Sequence, residues 1–471
     1  MKLNELIKIL EKLPDIPKYL VGGIVRDTIL NRDTKDIDII LHVPDVKSVA
    51  KKIADKLDAS LVVLDEDRHI YRVVSEDYNF DFTRMRGRDI YDDLSERDFT
   101  VNSIAVEFGK CRLLNNGKFK FSEYIDPYDG IKDIKNKLIK HVSDNVFNDD
   151  PLRLLRAYRF IAELGFKLDA RTERLIKKQS RLIKLPARER VTYELTKILS
   201  VRDSSVVIIL LDNAGILGRI FPEIKNIKSS PKKYYFHPKG LWQHATQSVA
   251  AIEYLLNNLN KLFPKTSART KEHIKSRIQL LKLVALLHDI SKPETVKMIG
   301  GRPRFFDHEI KGAKKTSKIM ARLKHSNKSI AIAAKLIINH MRPGNLSQLK
   351  KITDRAIYRF FRDIGEESAD LLLLSLADRY TYIKYTGRVN DYILHKKFVN
   401  MMLLRYFKYQ SQQTVLPKLI DGNIIMKKFK LQPGPIIGRL LSIIRENQII
   451  GNIRNTEQAL ELVKKNIDKY L

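Results

Sequence analysis

An α/β domain at the N-terminus followed by helices to the end of the chain is the fold class the sequence predicts, and three observations predict it. Six β-rich runs, YLVGG, DIDIILHV, SLVVL, YRVVS, NFDFTRM and SIAVEFG, fall before residue 110. Two segments between them, VRDTILN and VKSVAKKIADKLD, carry helical periodicity. From about residue 145 onward almost every run is helical, as in DPLRLLRAYRFIAELG, ARTERLIKKQSRLIK, RERVTYELTKIL and SSVVIILLDNAGIL.

At 471 residues the chain is too long for one hydrophobic core, so roughly two to four domains are expected. Their boundaries fall at 1–140 for the α/β head, 141–228 for a helical neck and body, 229–405 for a second helical region and 406–471 for a short helical tail. The Pro- and Lys-rich stretch SSPKKYYFHPKG, 229–240, reads as the loop between body and second helical region. The tail holds a QPGP turn and ends in a Lys-rich helix.

The opening segment, MKLNELIKILEKL, is interrupted by Asn4, Glu5, Lys8 and Glu11 at helical spacing, which predicts an amphipathic helix rather than a signal peptide. No stretch approaches the roughly 20 apolar residues of a membrane span, and no membrane partner is expected. The single cysteine, Cys111, excludes an intramolecular disulfide framework and a Cys-rich zinc module, and the cytoplasm is the expected location. Lys and Arg number 87 against 55 Asp and Glu, a net charge of +32. Such an excess attracts polyanions, nucleic acid above all, although a Lys- and Ile-rich proteome would produce part of it.

Two places carry chemistry. Gly22 and Gly23 end a predicted strand ahead of the helix VRDTIL, where bare backbone N–H groups can approach a phosphate. Asp36 and Asp38 follow in DID, and on a strand both carboxylates point to one face. Their mutual repulsion would be offset by two Mg²⁺ ions about 3.5–4 Å apart. The alternative is a polar strand edge facing water, against which Ile37, Ile39 and Ile40 argue. Asp81 in NFDFTRM offers a third carboxylate.

LVGGIVRDTILNRDTKDIDII resembles the first motif of the polymerase-beta-like nucleotidyltransferases, in the form used by bacterial tRNA nucleotidyltransferases and poly(A) polymerases. ERDFTVNSIAV, IDPYDGIKDI, DDPLRLLRAYRF and ARERVTYELTKIL resemble the second to fifth motifs, in order, over about the first 225 residues. The resemblance implies a polymerase-beta-like head, an all-α neck and body, tRNA as partner, CTP (with ATP in some members) as substrate, and Mg²⁺. It implies that Asp36 and Asp38 bind the metals and that Gly22 and Gly23 hold the triphosphate, with Arg26 and Asp27 supporting their loop. Arg97, Asp98 and Asn102 would contact sugar and phosphates. Asp126, Gly130 and Asp133 would link head to neck. Asp150 and Arg153 would read the base, with Arg156 and Arg159 nearby.

The base-reading role makes chemical sense. Cytosine and adenine present an exocyclic amine beside a ring-nitrogen acceptor, which a carboxylate and a guanidinium match. Uracil and guanine would leave acceptors face to face. Asp150 and Arg153, three apart on a predicted helix, are expected on one face; the plainer reading is an exposed ion pair. Two departures from the family stand out. Glu96 occupies the place of the first Arg of RRD. The segment between Arg84 and Arg97, MRGRDIYDDLSE, is shorter than the flexible loop of members that add the terminal A. A shortened loop marks the CC-adding members, so CC addition is expected, with full CCA addition the near alternative and poly(A) polymerase behind it.

The second place is LLKLVALLHDISKP, where His288 and Asp289 end an apolar helix. This adjacent pair resembles the HD metal-dependent phosphohydrolases, with His244 in LWQHATQSV and Asp378 in LLLLSLADRYT as companions. His308 and His340 fall where binuclear members place further ligands. The set implies a divalent transition metal or Mg²⁺ that would acidify a bound water. His325 reads as a core or surface residue. The tail LIDGNIIMKKFKLQPGPIIGRLLSIIRENQIIG resembles the C-terminal segment of several bacterial members, and the helix opened by its PGP turn near Gly438 either meets RNA phosphate or only packs. A pure HD phosphohydrolase explains only the second place, and a non-catalytic RNA-binding protein explains only the charge. No obligatory protein partner is evident.

Overall fold

In the computed structural model, residues 2–13, 16–114, 117–235, 237–415 and 417–469 are described. The chain divides into two compact units, Met1–Ile198 with Leu210–Ile220, and Leu199–Ile209 with Phe221–Leu471.

The first unit opens with α1 (Lys2–Glu11), which buries Leu3, Leu6 and Leu10 on one stripe. Its sheet has six strands in the order β3-β4-β5-β2-β1-β6: β1 (Lys18–Val21), β2 (Asp36–Leu41), β3 (Ser60–Asp65), β4 (Ile70–Val74), β5 (Asn79–Arg84) and β6 (Ala105–Glu107). The six β-rich runs are these six strands. β2 and β5 run parallel while the other neighbours are antiparallel, so the crossover through α3 (Val46–Leu57) and the β3–β4 hairpin brings two acidic strands side by side. Val46, Ala50, Ile53 and Leu57 give α3 its buried stripe. α2 (Gly23–Ile29) follows β1 directly.

The short segment after β5 is not an open loop. Asp89 caps α4 (Ile90–Ser95) by accepting from the N–H groups of Tyr91 and Asp92. Ile90 and Leu94 then pack with Met85, Val21, Ile40 and Ala105. Next come α5 (Gly130–Lys135), α6 (Val146–Asp149), α7 (Arg153–Leu164), α8 (Ala170–Gln179) and α9 (Arg188–Ser200).

The described residues of the second unit are mostly helical, as expected. Val296–Ile299 and Arg302–Phe305 add an antiparallel hairpin that the sequence pattern did not single out. Gly300 and Gly301 both have positive φ, 54° and 71°, as a two-residue hairpin turn demands. In the stretch 229–240 one turn of 3₁₀ helix, Lys232–Tyr234, occurs, and Phe236 lies outside the described residues. The tail packs Ile425, Ile437, Leu440, Ile444 and Val463 into a core of its own. Among the described residues no helix is long and apolar enough to cross a membrane.

Candidate active site and candidate metal centre

A cleft of about 690 Å³ in the first unit collects nearly all the residues singled out from the first two motifs and the fourth. Gly22 follows β1 at φ 67°, and a Cβ there would stand 3.1 Å from Arg97 Nη1 and 3.2 Å from Asp38 Oδ2. Only glycine combines that backbone angle with that proximity. The N–H of Gly23 donates to Asp38 Oδ2 (3.3 Å). Asp36 and Asp38 share one face of β2, with Ile37 and Ile39 buried on the other. Asp36 accepts from Asn79 Nδ2 (2.9 Å) and stays exposed.

Asp81 stands opposite Asp38 in the β2–β5 register, and Arg72 on β4 stands opposite Asp81. Arg72 donates to both Asp81 oxygens (2.7 and 2.7 Å), so the third carboxylate is neutralised by a neighbour on its own sheet. Among the described residues Asp38 makes no such ion pair, and Arg97 offsets its burial only in part. Burial, and then Asp81, push its carboxyl above the usual range. A carboxylate so placed favours a cation beside it, and Asp36 with Asp38 is the donor set available for Mg²⁺.

The remaining residues form a chain of polar contacts. Arg26 donates to Asp27 (2.9 Å) and to Asn102 Oδ1 (2.6 Å), and Asn102 Nδ2 donates to Asp98 Oδ1 (3.0 Å). Asp98 is buried, and its Oδ2 accepts from Arg156 Nε and Nη2 (2.8 and 2.6 Å). Burial disfavours the Asp98 charge, but Arg156 and Asn102 outweigh it and hold the carboxyl far below the usual range. Glu194 on α9 pairs with Arg159 (3.1 Å) and stands 3.9 Å from Arg156. Arg26, Arg156 and Arg159 surround the Phe160 ring at 5.4, 5.4 and 4.8 Å. Asp98 and Asn102 thus have their polar atoms engaged within the protein. Arg97 pairs with buried Asp93 (3.1 Å) and reaches the Asn102 carbonyl (3.4 Å).

Asp150 and Arg153 both face the cleft but not as two positions of one helix. Asp150 is extended, at φ −144° and ψ 100°, because the ring of Pro151 disfavours helical backbone in the preceding residue. α7 begins at Arg153. The two side chains make no ion pair with each other among the described contacts. Asp150 Oδ1 accepts from Leu152 N (3.1 Å), and its Oδ2 accepts from Arg190 Nη2 (2.8 Å) with Arg68 at 4.0 Å. Arg153 Nη2 donates to the main-chain carbonyl of Glu96 (2.7 Å). The Glu96 carboxylate reaches Arg86 (3.5 Å).

Asp126, Gly130 and Asp133 secure α5 within the first unit. Asp126 accepts from the N–H groups of Gly130 (2.7 Å) and Ile131 (2.9 Å), and Asp133 accepts from Thr100 Oγ1 (2.7 Å). A Cβ on Gly130 would lie 2.2 Å from the Thr100 carbonyl, so α5 can approach that closely only with glycine there.

In the second unit, six ligand-type side chains meet in two groups: His244, His288 and Asp378, and Asp289, His308 and His340. His288 caps the helix Ile278–Leu287, which fixes the pair at its end. Asp289 joins the groups: Oδ2 lies 3.3 and 3.4 Å from His244 and His288 Nε2, and Oδ1 lies 3.7 and 3.6 Å from His308 and His340 Nε2. The Nδ1 atoms of His288, His308 and His340 each meet a carbonyl, of Ala285, Phe305 and Ile337, at 2.7–2.9 Å. That places a ring proton on Nδ1 and turns the Nε2 atoms inward. Among the described residues Asp289 Oδ1 and Asp378 Oδ1 are buried without a hydrogen-bond partner, which suits them to ligate a cation. Burial opposes charge on His288, yet Asp289 and Asp378 outweigh it and push its pKa up to about 10. Burial, and then His288, push His340 down to about 3. These donors fit a pair of divalent ions, and Lys292 stands at Asp289 (2.6 Å).

Elsewhere, His325 is half-buried and Gly438 lies in the helix Pro435–Ile449, with open space around it. Cys111 is a free thiol whose pKa burial pushes up to about 12. The sequence reading passed over Arg72, Arg190, Glu194 and Lys292. Lys292, three residues after Asp289, could have been found from helical spacing, whereas Arg190 and Glu194 pair with residues of other segments rather than with each other. Arg72 could not, since nothing local shows which strand pairs with β5.

Comparison with known proteins agrees with this layout. The model of the poly A polymerase head domain matches residues 18–140, and that of the 'probable RNA and SrmB-binding site of polymerase A' matches 165–228. The HD domain matches 248–383, and tRNA nucleotidyltransferase domain 2 matches 415–463. An A-adding tRNA nucleotidyltransferase of Deinococcus radiodurans is 29% identical over 96% of this chain and 97% of its own. A CC-adding tRNA nucleotidyltransferase of Thermus thermophilus is 29% identical over 94% and 92%. The fold is that of the Thermotoga maritima CCA-adding enzyme solved with tRNA, at a TM-score of 0.62 and 21% identity over 99% of this chain and 95% of that one. With the head, HD and tRNA nucleotidyltransferase domains in one chain, and relatives of that kind matching along almost its whole length, the chain belongs to the tRNA nucleotidyltransferase/poly(A) polymerase family.

Proposed function

We propose that this chain adds CMP to the 3′ end of tRNA from CTP without a nucleic-acid template, stopping at CC. The observation that carries the CC reading is the bond from Arg153 to the Glu96 carbonyl. Glu96 ends the short segment that α4 locks into the core through Ile90 and Leu94, so the guanidinium that reads the base is held in one orientation. Reading A after C requires that pair to move, and a pinned segment of this length opposes the movement. tRNA as substrate is supported by the names of the relatives, by the tRNA bound to the Thermotoga enzyme and by the charge of +32.

In this reading Asp36 and Asp38 hold two Mg²⁺ ions, which supply charge neutralisation for the attacking 3′-oxygen and the leaving pyrophosphate. The Gly22–Gly23 turn and Arg97 seat the triphosphate. Asp150 accepts from the cytosine amine while Arg153 donates to its ring nitrogen. Asp98 and Asn102, already engaged, position Arg156 and Arg26 rather than touch the nucleotide. The chain's own contribution is orientation and a preset field. The second unit would hold two divalent ions through His244, His288, Asp289, His308, His340 and Asp378 and hydrolyse phosphate esters. A second reading, addition of the terminal A, is favoured by the name of the Deinococcus relative.

The test is incorporation of labelled CTP, ATP, UTP and GTP into tRNA transcripts ending before CCA, at CC, or complete. CMP addition that halts at CC supports the proposal. AMP addition to the CC end overturns the CC restriction, and AMP addition alone establishes the second reading.

A further inference from the structure

Asp150 and Arg153 are an incomplete code. Cytosine and adenine offer an amine donor beside a ring-nitrogen acceptor; uracil and guanine offer a carbonyl acceptor beside a ring N–H donor. A carboxylate and a guanidinium that exchanged places would therefore read uracil or guanine equally well. Selectivity must reside partly in whatever prevents the exchange. For Arg153 that restraint is the Glu96 carbonyl (2.7 Å).

For Asp150 the restraint is Arg190. Asp150 is not carried by a helix, so its backbone does not fix the carboxylate as a helical position would. Leu152 N holds Oδ1 (3.1 Å), and Arg190 Nη2, reaching from α9, holds Oδ2 (2.8 Å). Arg68 stands farther off at 4.0 Å. Together the first two donors fix the carboxylate plane and leave a lone pair of each oxygen free. The Asp150 side chain is 12% exposed and that of Arg190 47%, so Arg190 holds Asp150 from the solvent side of the cleft.

We infer that Arg190 is a positioning residue that sets base selectivity by clamping Asp150 in the orientation that reads an amine beside a ring acceptor. The inference rests on the base-reading role proposed for Asp150. Loss of Arg190 lets the carboxylate swing toward the ring N–H of uracil, so the defect is one of choice among nucleotides as well as rate.

The experiment compares kcat/KM for CTP and UTP, each with Mg²⁺ and a tRNA transcript lacking CCA, in the full chain and in Arg190→Ala, Arg190→Lys and Arg68→Ala. Arg190→Ala is expected to lower the CTP preference by about tenfold or more. Arg190→Lys, which keeps one donor, should recover part of it, and Arg68→Ala should move it less than Arg190→Ala. A uniform fall in kcat/KM for both nucleotides, with the ratio unchanged, would overturn the clamp and make Arg190 a general contact. A wild-type chain that incorporates CMP and UMP equally would overturn the base-reading role itself, and the clamp with it.

Discussion

The two acidic centres of this chain are built on opposite plans. In the first unit Asp36 and Asp38 face an open cleft, and most neighbouring carboxylates already have a guanidinium: Asp81 has Arg72, Asp98 has Arg156, Asp93 has Arg97 and Asp150 has Arg190. In the second unit six ligand-type groups point inward, three imidazoles are locked by main-chain carbonyls, and two carboxylate oxygens are buried without hydrogen-bond partners. On the proposed function the cleft suits a large anionic substrate with Mg²⁺ at Asp36 and Asp38, whereas the cluster suits cations enclosed by protein ligands alone.

The largest effect expected from that contrast is on catalysis. Asp38→Ala should reduce CMP incorporation by about 10³-fold or more while leaving metal retention by the second unit unchanged. Residual incorporation near the wild-type rate would remove Asp38 from the metal site. Metal content after dialysis sharpens the other half. Asp289→Ala should empty both groups, because its two oxygens face one group each, whereas His340→Ala should empty only one. Equal metal content in the two variants would show that the groups do not share Asp289.

A smaller effect concerns stability. Asp98→Asn removes the close charge partner of Arg156, leaving only Glu194 at 3.9 Å, and should cost on the order of 3 kcal/mol at neutral pH. The folded-state pKa of Asp98 lies below its unfolded value, so the charged form contributes above about pH 4 and loses that contribution as the pH falls. The gap in thermal midpoint between wild type and variant should therefore be flat from pH 8 to about 5 and shrink below about 4. A gap that widens on acidification would contradict the sign of the shift.

The sheet was legible because each of its strands is β-rich, and Asp36 and Asp38 because alternation places them on one face. The second-unit cluster was legible because His288 and Asp289 interrupt an apolar helix. Three things were not. The hairpin at 296–305 is short, and its signal was only the glycine pair at 300–301 amid helical neighbours. Asp150 looked helical by spacing, although Pro151 beside it argued otherwise. The partners Arg72 and Arg190 act across strands or between helices distant in sequence, where local pattern carries no information.

The contact chain from Arg26 through Asn102, Asp98 and Arg156 to Glu194 has an evolutionary consequence. Replacing Arg26, Asn102, Asp98 or Arg156 takes a hydrogen-bond partner from the next residue along, so a single replacement weakens a buried polar contact. Drift at these five positions is expected to proceed by paired replacements, and a descendant that changed one alone would carry the mark of a second change beside it.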